Sequence, residues 1–454
     1  MRVARLCPAM ILAVGGSAFA SAPGSGDIQL GLYIDRPLTA SEIQANYFGA
    51  KHEPRVGCYI GAYIDLDSKL TKTYVDDTDK VHKMPEEFEA LTGKSHASYF
   101  FYLGYGKDIP LDWVTMLGKK NKIVHIALEP NDGLEPVKDD AYLRGLADDM
   151  KRTKAPIFLR FGSEMNGAWT EYGKNAKAFR EKFRLVSKVM HERAPNVAVV
   201  WCPFTMPQSN IASFYPGDDA VDWVGVNIYS VTYFNQDKAQ PAMYIHPTEM
   251  LDYVYSSFGT KKPFMVGEYG ATHYSMAEDK PQVGFAKRVI RGMYQALPRK
   301  YPRVKCINYF DSNAIELAHR KNNNYAVTQN EEVLKMYKEV IASPYFLGTT
   351  AEKTSDKFSP VDGGPPAEIP EKPMALRDGE TVSGVVRLSA YARDRSGAIR
   401  LDFSIDGNRV RSSDGWGLDV ETRTLPNGPH TFTVEANANG KRLGQISVKV
   451  MVRN

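Results

Sequence analysis

The stretch Ile157-Phe-Leu-Arg-Phe-Gly-Ser-Glu-Met-Asn-Gly-Ala-Trp169 decides how the rest of the chain is interpreted. It begins as a short apolar run after Pro156, which is typical of a strand buried on both faces in a parallel sheet. It then breaks at Gly162 into a polar loop that carries Glu164, and a helical pattern follows from residue 176. Such a strand delivers a carboxylate to the face where α/β barrels form active sites. The alternative is a core strand followed by a solvated acidic loop.

A second stretch about a hundred residues later has the same design. Lys262-Pro-Phe-Met-Val-Gly-Glu-Tyr-Gly270 contains a turn-forming proline, an apolar strand and then Glu268. Two carboxylates at the ends of two such strands suit glycoside hydrolysis, because one must protonate the leaving oxygen while the other attacks the sugar or activates water.

The alternation of elements predicts the fold class. Strand-like runs cover residues 56–63, 97–104, 122–128, 155–161, 197–204, 221–228, 263–268 and 304–310. Helical patterns cover residues 86–91, 111–119, 140–152, 176–193, 248–258, 282–296 and 331–341. Eight strands with interleaved helices indicate an α/β protein of the (β/α)8 TIM barrel type, which we assign to residues 23–345. No glycine-rich phosphate loop follows a strand, which argues against a nucleotide-binding fold.

The composition of the chain limits the classes of partner that we expect. Its 454 residues include 57 Lys and Arg against 53 Asp and Glu, a formal net charge of +4. No basic run is interleaved with aromatic residues, so we expect no nucleic acid partner. A neutral polysaccharide is the expected substrate, and a monomer is the expected state.

The first 22 residues have the pattern of a signal peptide. A basic start with Arg2 and Arg5 precedes a short apolar core and the small-residue pattern Ala18-Phe-Ala20. That core is too short to span a bilayer, and no later segment is apolar enough to do so. We therefore expect a protein without a membrane span that is secreted or periplasmic.

The cysteine and histidine pattern gives no metal site. Cys58, Cys202 and Cys306 each fall within a predicted strand, which favours buried free thiols, although one disulfide is the alternative. None has Cys or His partners at metal-ligand spacing, and the nine His are scattered. We expect neither a metal nor a cofactor.

The C-terminal part differs in composition from the barrel. Residues 346–373 are rich in Thr, Ser, Pro and Gly and are predicted to be a linker. Residues 374–454 alternate apolar and polar positions between turns such as Asp406-Gly407, which predicts a small all-β immunoglobulin-like sandwich. The stretch Leu425-Pro-Asn-Gly-Pro-His-Thr-Phe-Thr-Val434 resembles bacterial immunoglobulin-like modules. Such a module acts either as a spacer that docks on the barrel or as a polysaccharide-binding domain.

Three blocks of the barrel resemble a known family. Arg160-Phe-Gly-Ser-Glu-Met-Asn-Gly-Ala-Trp169 is similar to the acid/base motif of glycoside hydrolase family 26, and Gly267-Glu-Tyr-Gly270 is similar to its nucleophile motif. Val224-Gly-Val-Asn-Ile-Tyr229 resembles the sixth-strand segment of that family. The likeness covers residues 50–345.

The resemblance implies a retaining (β/α)8 glycosidase. It makes Glu164 the acid/base, Glu268 the nucleophile and Tyr229 the residue that orients the nucleophile. Members of the family are mostly endo-β-1,4-mannanases, while others cut mixed-linkage β-glucan or β-1,3-xylan. Two departures touch the sugar-contacting surface: Ser163 stands where mannanases usually carry His, and Asn308-Tyr-Phe-Asp311 lacks the Trp that many carry after the eighth strand.

Five further residues are candidate contacts of the substrate or the carboxylates. Arg160 faces the same side of its strand as Glu164 and acts either as a cation for the nucleophile or as a structural ion pair. Asn166 binds either the substrate or backbone amides of its own turn. Trp169 offers an apolar ring for a sugar face. Glu129, after the third strand, and His273, just past Glu268, are predicted subsite contacts.

The sequence thus predicts an exported retaining endo-β-glycosidase whose first candidate substrate is β-1,4-mannan. Mixed-linkage β-glucan, β-xylan and an exopolysaccharide are the alternative substrates. A barrel that binds polysaccharide without cutting it, in envelope or exopolysaccharide handling, is the alternative function.

Overall fold

The structure is a computed structural model, and it describes residues 28–318, 322–350, 371–395, 397–413 and 417–454. The predicted signal peptide and residues 351–370 of the predicted linker lie outside the described residues. Within the described ranges, no helix has the length and apolar character needed to cross a membrane.

A closed barrel of eight parallel strands forms the larger part of the described chain. Its strands are β1 (Cys58–Tyr63), β2 (Ser98–Gly104), β3 (Ile123–Glu129), β4 (Ile157–Phe161), β5 (Val197–Trp201), β6 (Trp223–Ser230), β7 (Phe264–Ala271) and β8 (Val304–Phe310). They pair in chain order, and pairing of β8 with β1 closes the ring. The prediction of a TIM barrel is confirmed, with each predicted strand overlapping an observed one.

A helix follows each barrel strand. The helices are α1 (Pro85–Thr92), α2 (Leu111–Lys119), α3 (Ala141–Thr153), α4 (Ala176–Arg193), α5 (Gln208–Ile211), α6 (Pro247–Phe258), α7 (Val283–Lys300) and α8 (Glu331–Ile341). The seven predicted helices are all present, and α5 is a single turn that the periodicity did not reveal.

The barrel interior is layered, and this layering places the site. Phe158, Trp223, Met265 and Cys306 belong to one buried cluster of inward-facing side chains. Side chains two residues further along a strand face the same interior one layer closer to its carboxyl end. Arg160 on β4 is therefore presented directly above Phe158. The three cysteines of the described chain are buried and unbridged, as predicted.

An N-terminal strand, Gln29–Arg36, corrects the predicted boundary of the barrel. It pairs antiparallel with β9 (Lys372–Ala375) and β11 (Val385–Arg393), both of the C-terminal module. Its Leu32 and Ile34 are buried in the core of that module. Residues 29–36 therefore complete the sandwich, and the barrel is inserted between the first two strands of the module.

The module is a sandwich of two sheets, as predicted. The remaining strands are β10 (Glu380–Val382), β12 (Arg400–Ile405), β13 (Asn408–Ser413), β14 (Leu418–Glu421), β15 (Gly428–Ala438) and β16 (Lys441–Val452). One sheet has the order β9, N-terminal strand, β11, β14, and the other has the order β10, β16, β15, β12, β13. Alternate residues of β15 are buried, which follows from its apolar and polar alternation.

Both ends of the predicted linker are ordered strands. Phe346–Leu347 pairs with β1 of the barrel, and β9 begins at Lys372. The segment predicted as a linker is therefore shorter than residues 346–373, because its ends contribute backbone hydrogen bonds to the two sheets.

The module docks on the outer helices of the barrel. Arg393 pairs with Asp252 on α6 at 2.8 Å. Two guanidinium nitrogens of Arg395 donate to Glu249, at 2.9 and 2.6 Å. This seam supports the docking role over a freely tethered module.

Candidate active site

Two glutamates meet at the carboxyl ends of β4 and β7. Glu164 is only 4% exposed and Glu268 only 1% exposed. The loop after β4 turns sharply, with positive φ at both Gly162 and Glu164. A side chain at Gly162 would also approach the ring of Phe179 to 2.9 Å, so only glycine fits there. The backbone N–H of Glu164 donates to the carbonyl of Cys202 at 2.9 Å, which ties the loop to the end of β5.

Glu268 accepts hydrogen bonds from three side chains. Arg160 Nη2 lies 2.5 Å from Oε1, and the hydroxyl of Tyr102 donates to the same oxygen at 2.6 Å. The hydroxyl of Tyr229 donates to Oε2. Burial, followed by the charge of Glu268, raises the pKa of Tyr229 well above its usual value, so the phenol remains a donor. Glu268 therefore accepts one charge-assisted hydrogen bond and two from hydroxyl groups.

Arg160 is the cation of the site. Burial lowers the pKa of Arg160, but Glu268 and the other groups around it together outweigh burial, and the net pKa lies well above the usual value. Its Nη1 donates to Asn227 Oδ1 at 3.1 Å, and its guanidinium lies 5.6 Å from the ring centroid of Phe100. Arg160 thus contacts the predicted nucleophile directly, which favours the first of its two predicted roles.

The surroundings of Glu164 disfavour its charged form. Burial raises the pKa of Glu164 to about 8, with a further contribution from the negative charge of Glu268. Asn227 Nδ2 donates to its Oε1 at 2.8 Å, and Trp169 Nε1 donates to its Oε2 at 3.1 Å. These two bonds lower the pKa but do not cancel the effect of burial. Glu164 is therefore protonated near neutral pH.

The arrangement links two buried carboxyl groups by a continuous hydrogen-bonded chain. Asn227 contacts both Glu164 and Arg160, and Arg160 contacts Glu268. A retaining glycosidase requires an acid for the leaving group and a nucleophile for the sugar. Glu164, with its raised pKa, and Glu268, in contact with a cation, are arranged in a way that suits these two roles.

Aromatic rings line the side of the site next to Glu268. The ring of Phe310, at the end of β8, stacks on Tyr63 with centroids 5.0 Å apart. Tyr229 lies 5.6 Å from Phe310 and 5.3 Å from Tyr325, and Tyr102 lies 5.4 Å from Tyr63. The segment at the end of β8 that lacks the expected Trp thus carries an aromatic ring, Phe310. Such rings can pack against the C–H face of a sugar.

Glu129 supports the acid loop from behind. Its Oε2 accepts from the backbone N–H of Ser163 at 3.2 Å and from the hydroxyl of Tyr172 at 2.7 Å. The Ser163 hydroxyl donates to Oε1. Both oxygens are therefore occupied by the protein, so these bonds support a role in holding the loop. The predicted subsite contact of Glu129 stays a prediction.

Asn166 and His273 are also bonded within the protein. Asn166 Nδ2 donates to the carbonyls of Phe204 and Met206 at 3.0 and 3.1 Å, and its Oδ1 accepts from the N–H of Phe204 at 2.8 Å. His273 Nε2 donates to the carbonyl of Ala326 at 2.9 Å. These backbone groups belong to the segment after β5 and not to the turn of Asn166, so the contacts differ from the predicted binding of amides in its own turn. Substrate binding by either residue stays a prediction.

Trp169 is partly exposed beside Glu164. Its ring packs edge-on against Phe204 with centroids 5.3 Å apart, while its N–H holds Glu164. The ring is available at the edge of the site, and its predicted stacking on a sugar remains to be tested.

Sequence reasoning missed two residues of this site, Asn227 and Tyr102. Both positions carried a signal, since Asn227 lies two residues before Tyr229 on the same face of β6. Tyr102 lies two residues before the end of β2, where side chains reach the site face. Neither side chain is a carboxylate, whereas the prediction of the site was built on carboxylates at strand ends.

Metal chemistry has no visible ligand set here. Among the described residues, no group of three or more His, Cys, Asp or Glu side chains is placed to hold a metal ion.

Comparison with known proteins agrees with this geometry. Residues 127–274 match the model of "Glycosyl hydrolase family 26", and residues 375–434 match that of "Bacterial Ig domain". The chain is 34% identical over 94 residues to "Beta-1,3-xylanase TXYA" of Vibrio sp and 33% identical over 94 residues to "Beta-1,3-xylanase" of Alcaligenes sp. Each match covers 19% of this chain and spans about a fifth of the relative, 20% and 19% of its length.

Solved structures with a similar fold include two mannanases. The endo-β-1,4-mannanase of Thermotoga petrophila is 12% identical and has a TM-score of 0.41, covering 88% of this chain and 98% of its own. The family 26 β-mannanase BoMan26A of Bacteroides ovatus is 14% identical and has a TM-score of 0.43, covering 64% of this chain and 90% of its own. The chain therefore contains one stretch that matches glycosyl hydrolase family 26 and, after it, one that matches a bacterial Ig domain.

Proposed function

We propose that this chain is a retaining endo-β-glycosidase that hydrolyses a β-linked polysaccharide without a cofactor, acting as a monomer. Glu268 is the nucleophile and Glu164 is the acid/base. The observation that carries the proposal is a pair of buried carboxyl groups in different surroundings: Arg160 lies against Glu268, while burial raises the pKa of Glu164 to about 8.

In the first step, a Glu268 oxygen attacks the anomeric carbon, and Glu164 gives its proton to the leaving glycosidic oxygen. Glu268 loses its negative charge as the glycosyl–enzyme bond forms, which removes one cause of the raised pKa of Glu164. Glu164 then accepts a proton from the water that cleaves the intermediate. The hydroxyls of Tyr102 and Tyr229 then donate hydrogen bonds to the regenerated carboxylate of Glu268.

Two polymers are the leading substrates. The sequence favours β-1,4-mannan through its family resemblance. The relatives from Vibrio and Alcaligenes are named β-1,3-xylanases, and this favours β-1,3-xylan. Ser163, whose hydroxyl binds Glu129, supports the second choice, because the resemblance leads us to expect a His there in a mannanase.

Release of reducing ends from β-1,4-mannan, β-1,3-xylan, mixed-linkage β-glucan and β-1,4-xylan tests the proposal. We expect the purified protein to cleave one of them. Glu268→Ala and Glu164→Gln should each reduce the rate on that polymer by about 10²–10⁴-fold or more. Glu332→Gln, which changes a surface carboxylate paired with Lys287 on the outer helices, is the matched control and should keep full activity.

The alternative is a barrel that binds polysaccharide without cutting it. Retention of a polymer in affinity electrophoresis, with no release of reducing ends from any of the four, would establish that alternative and reject the hydrolase. Export of the chain by residues 1–22 stays a prediction, which N-terminal sequencing of the protein recovered from the periplasm or medium would test.

A further inference from the structure

Asn227 hydrogen-bonds both to Glu164 and to Arg160, the arginine that contacts Glu268. It is 1% exposed, and its amide contacts side chains from β4, from the end of β5 and from the acid loop. Oδ1 accepts from Arg160 Nη1 at 3.1 Å and from Cys202 Sγ at 3.2 Å, while Nδ2 donates to Glu164 Oε1 at 2.8 Å. On this strand the family resemblance assigns a role to Tyr229 and none to Asn227.

The orientation of this amide is fixed by chemistry. A guanidinium has only donors, so the group that faces Arg160 must be the amide oxygen. Rotating the amide by 180° would place its NH2 group against the guanidinium and its oxygen against Glu164, in a buried environment. The NH2 group of Asn227 must therefore face Glu164 at all times.

A fixed donor on Oε1 makes the two oxygens of Glu164 unequal. The short bond from Asn227 occupies Oε1, on the buried side of the carboxyl group. Oε2 lies towards Trp169, which is partly exposed at the edge of the site and donates over a longer distance of 3.1 Å. An acid proton is accommodated more easily on the oxygen whose competing donor is weaker and more exposed.

We propose that Asn227 is a positioning residue that places the acid proton of Glu164 on Oε2, the oxygen that faces the leaving group. The proposal rests on the proposed function for its catalytic meaning. Because the same amide is oriented by Arg160, the cation of the nucleophile also determines the geometry of the acid.

Asn227→Asp is the sharpest variant, since it keeps the shape and the acceptor for Arg160. It replaces the donor to Glu164 with an acceptor, so the proton of Glu164 is drawn to Oε1 between the two carboxyl groups. Hydrolysis of the polysaccharide, whose leaving group needs that proton, should fall about 100-fold. The release of dinitrophenol from the matching aryl glycoside, which needs no proton, should fall less than about 5-fold.

A double-mutant cycle with Glu164→Gln provides the control. If Asn227 acts through Glu164, adding Asn227→Asp to Glu164→Gln should cost less than about 3-fold on the polysaccharide. Equal losses on both substrates, or a full additional loss in the double variant, would show a merely structural role and overturn the proposal.

A readout without turnover separates this proposal from the proposed function. Thermal melting between pH 5 and 10 reports the titration of the buried carboxyl group, and Asn227→Asp should move that titration to higher pH by about one unit. A wild-type protein that cleaves no polymer rejects the proposed function alone. An unchanged melting profile rejects the role of Asn227 alone.

Discussion

Two buried arginines, Arg160 in the barrel and Arg299 at the seam between the barrel and the module, have pKa values shifted in opposite directions. Arg160 lies inside the barrel, 2.5 Å from Glu268. Arg299 lies on α7 under the C-terminal module and donates to the carbonyl of Gln295 at 2.7 Å and to Ser389 Oγ at 2.6 Å. The pKa of Arg160 is well above its usual value, whereas burial lowers the pKa of Arg299 to about 10.

The difference shows what each charge does. A cation in contact with a carboxylate stabilises a charge that the chemistry needs, and losing it leaves a buried charge unpaired. Arg299 donates to neutral acceptors, and the charge of Asp35 offsets only part of the effect of its burial. At the seam, the direct ion pairs are instead those of Arg393 with Asp252 and of Arg395 with Glu249.

Arg160→Met should have the largest effect of any single substitution in this comparison. It removes the cation and leaves Glu268 buried with only the hydroxyls of Tyr102 and Tyr229. We expect a loss of about 3–5 kcal/mol in the free energy of unfolding and about a 10³-fold loss of kcat/KM. Chemical denaturation and hydrolysis assays measure the two. A variant with wild-type stability would show that the pair contributes nothing to the barrel.

Leu32→Ala tests how much the N-terminal strand contributes to the stability of the C-terminal module. Leu32 is 2% exposed in the core of the module, although it precedes the barrel in sequence. Truncation of a buried leucine should cost about 2–5 kcal/mol. Because the residue is far from the carboxyl ends of the strands, kcat/KM measured below the melting temperature should not change. Leu30→Ala, at a partly buried position of the same strand, is the control and should cost less.

These two changes also mark what the sequence could and could not predict. The barrel was predictable because its strands are apolar at nearly every position, so each could be recognised alone. Glu164 and Glu268 were predictable because each lies near the carboxyl end of such a strand, close to glycine residues. The pairing of residues 29–36 with β11 joins segments more than 350 positions apart, and no local pattern encodes that partner. Asn227 was missed for a related reason, since its importance comes from three neighbours on other segments.

The dependence of stability on pH tests the raised pKa of Glu164. Folding raises the pKa of Glu164 from about 4.3 to about 8. Between these values the unfolded chain has released the proton and the folded chain retains it, so this group makes stability fall as pH rises. Glu164→Gln cannot titrate. We expect its stability relative to wild type to increase by about 2–3 kcal/mol between pH 6 and pH 8.

The activity of the wild type should follow the same group. Above pH 8 the free enzyme loses the proton of Glu164, so kcat/KM on a polysaccharide should decline there. Melting curves and initial rates across pH 5–10 test both statements. A difference between the two proteins that stays constant with pH would contradict the raised pKa.

Arg299→Met should have the smallest effect, and it is the same substitution as Arg160→Met. It removes two hydrogen bonds, each contributing about 0.5–1.5 kcal/mol, but it also removes a charge whose burial is unfavourable, as its lowered pKa shows. These terms oppose each other, so we expect the free energy of unfolding to change by less than about 1 kcal/mol and kcat/KM to be unchanged. The methionine would fill the space against Tyr33, which now lies 5.7 Å from the guanidinium carbon. A loss as large as that of Arg160→Met would mean that Asp35, the nearest carboxylate acting on Arg299, forms an ion pair of comparable strength, and the contrast between site and seam would then fail.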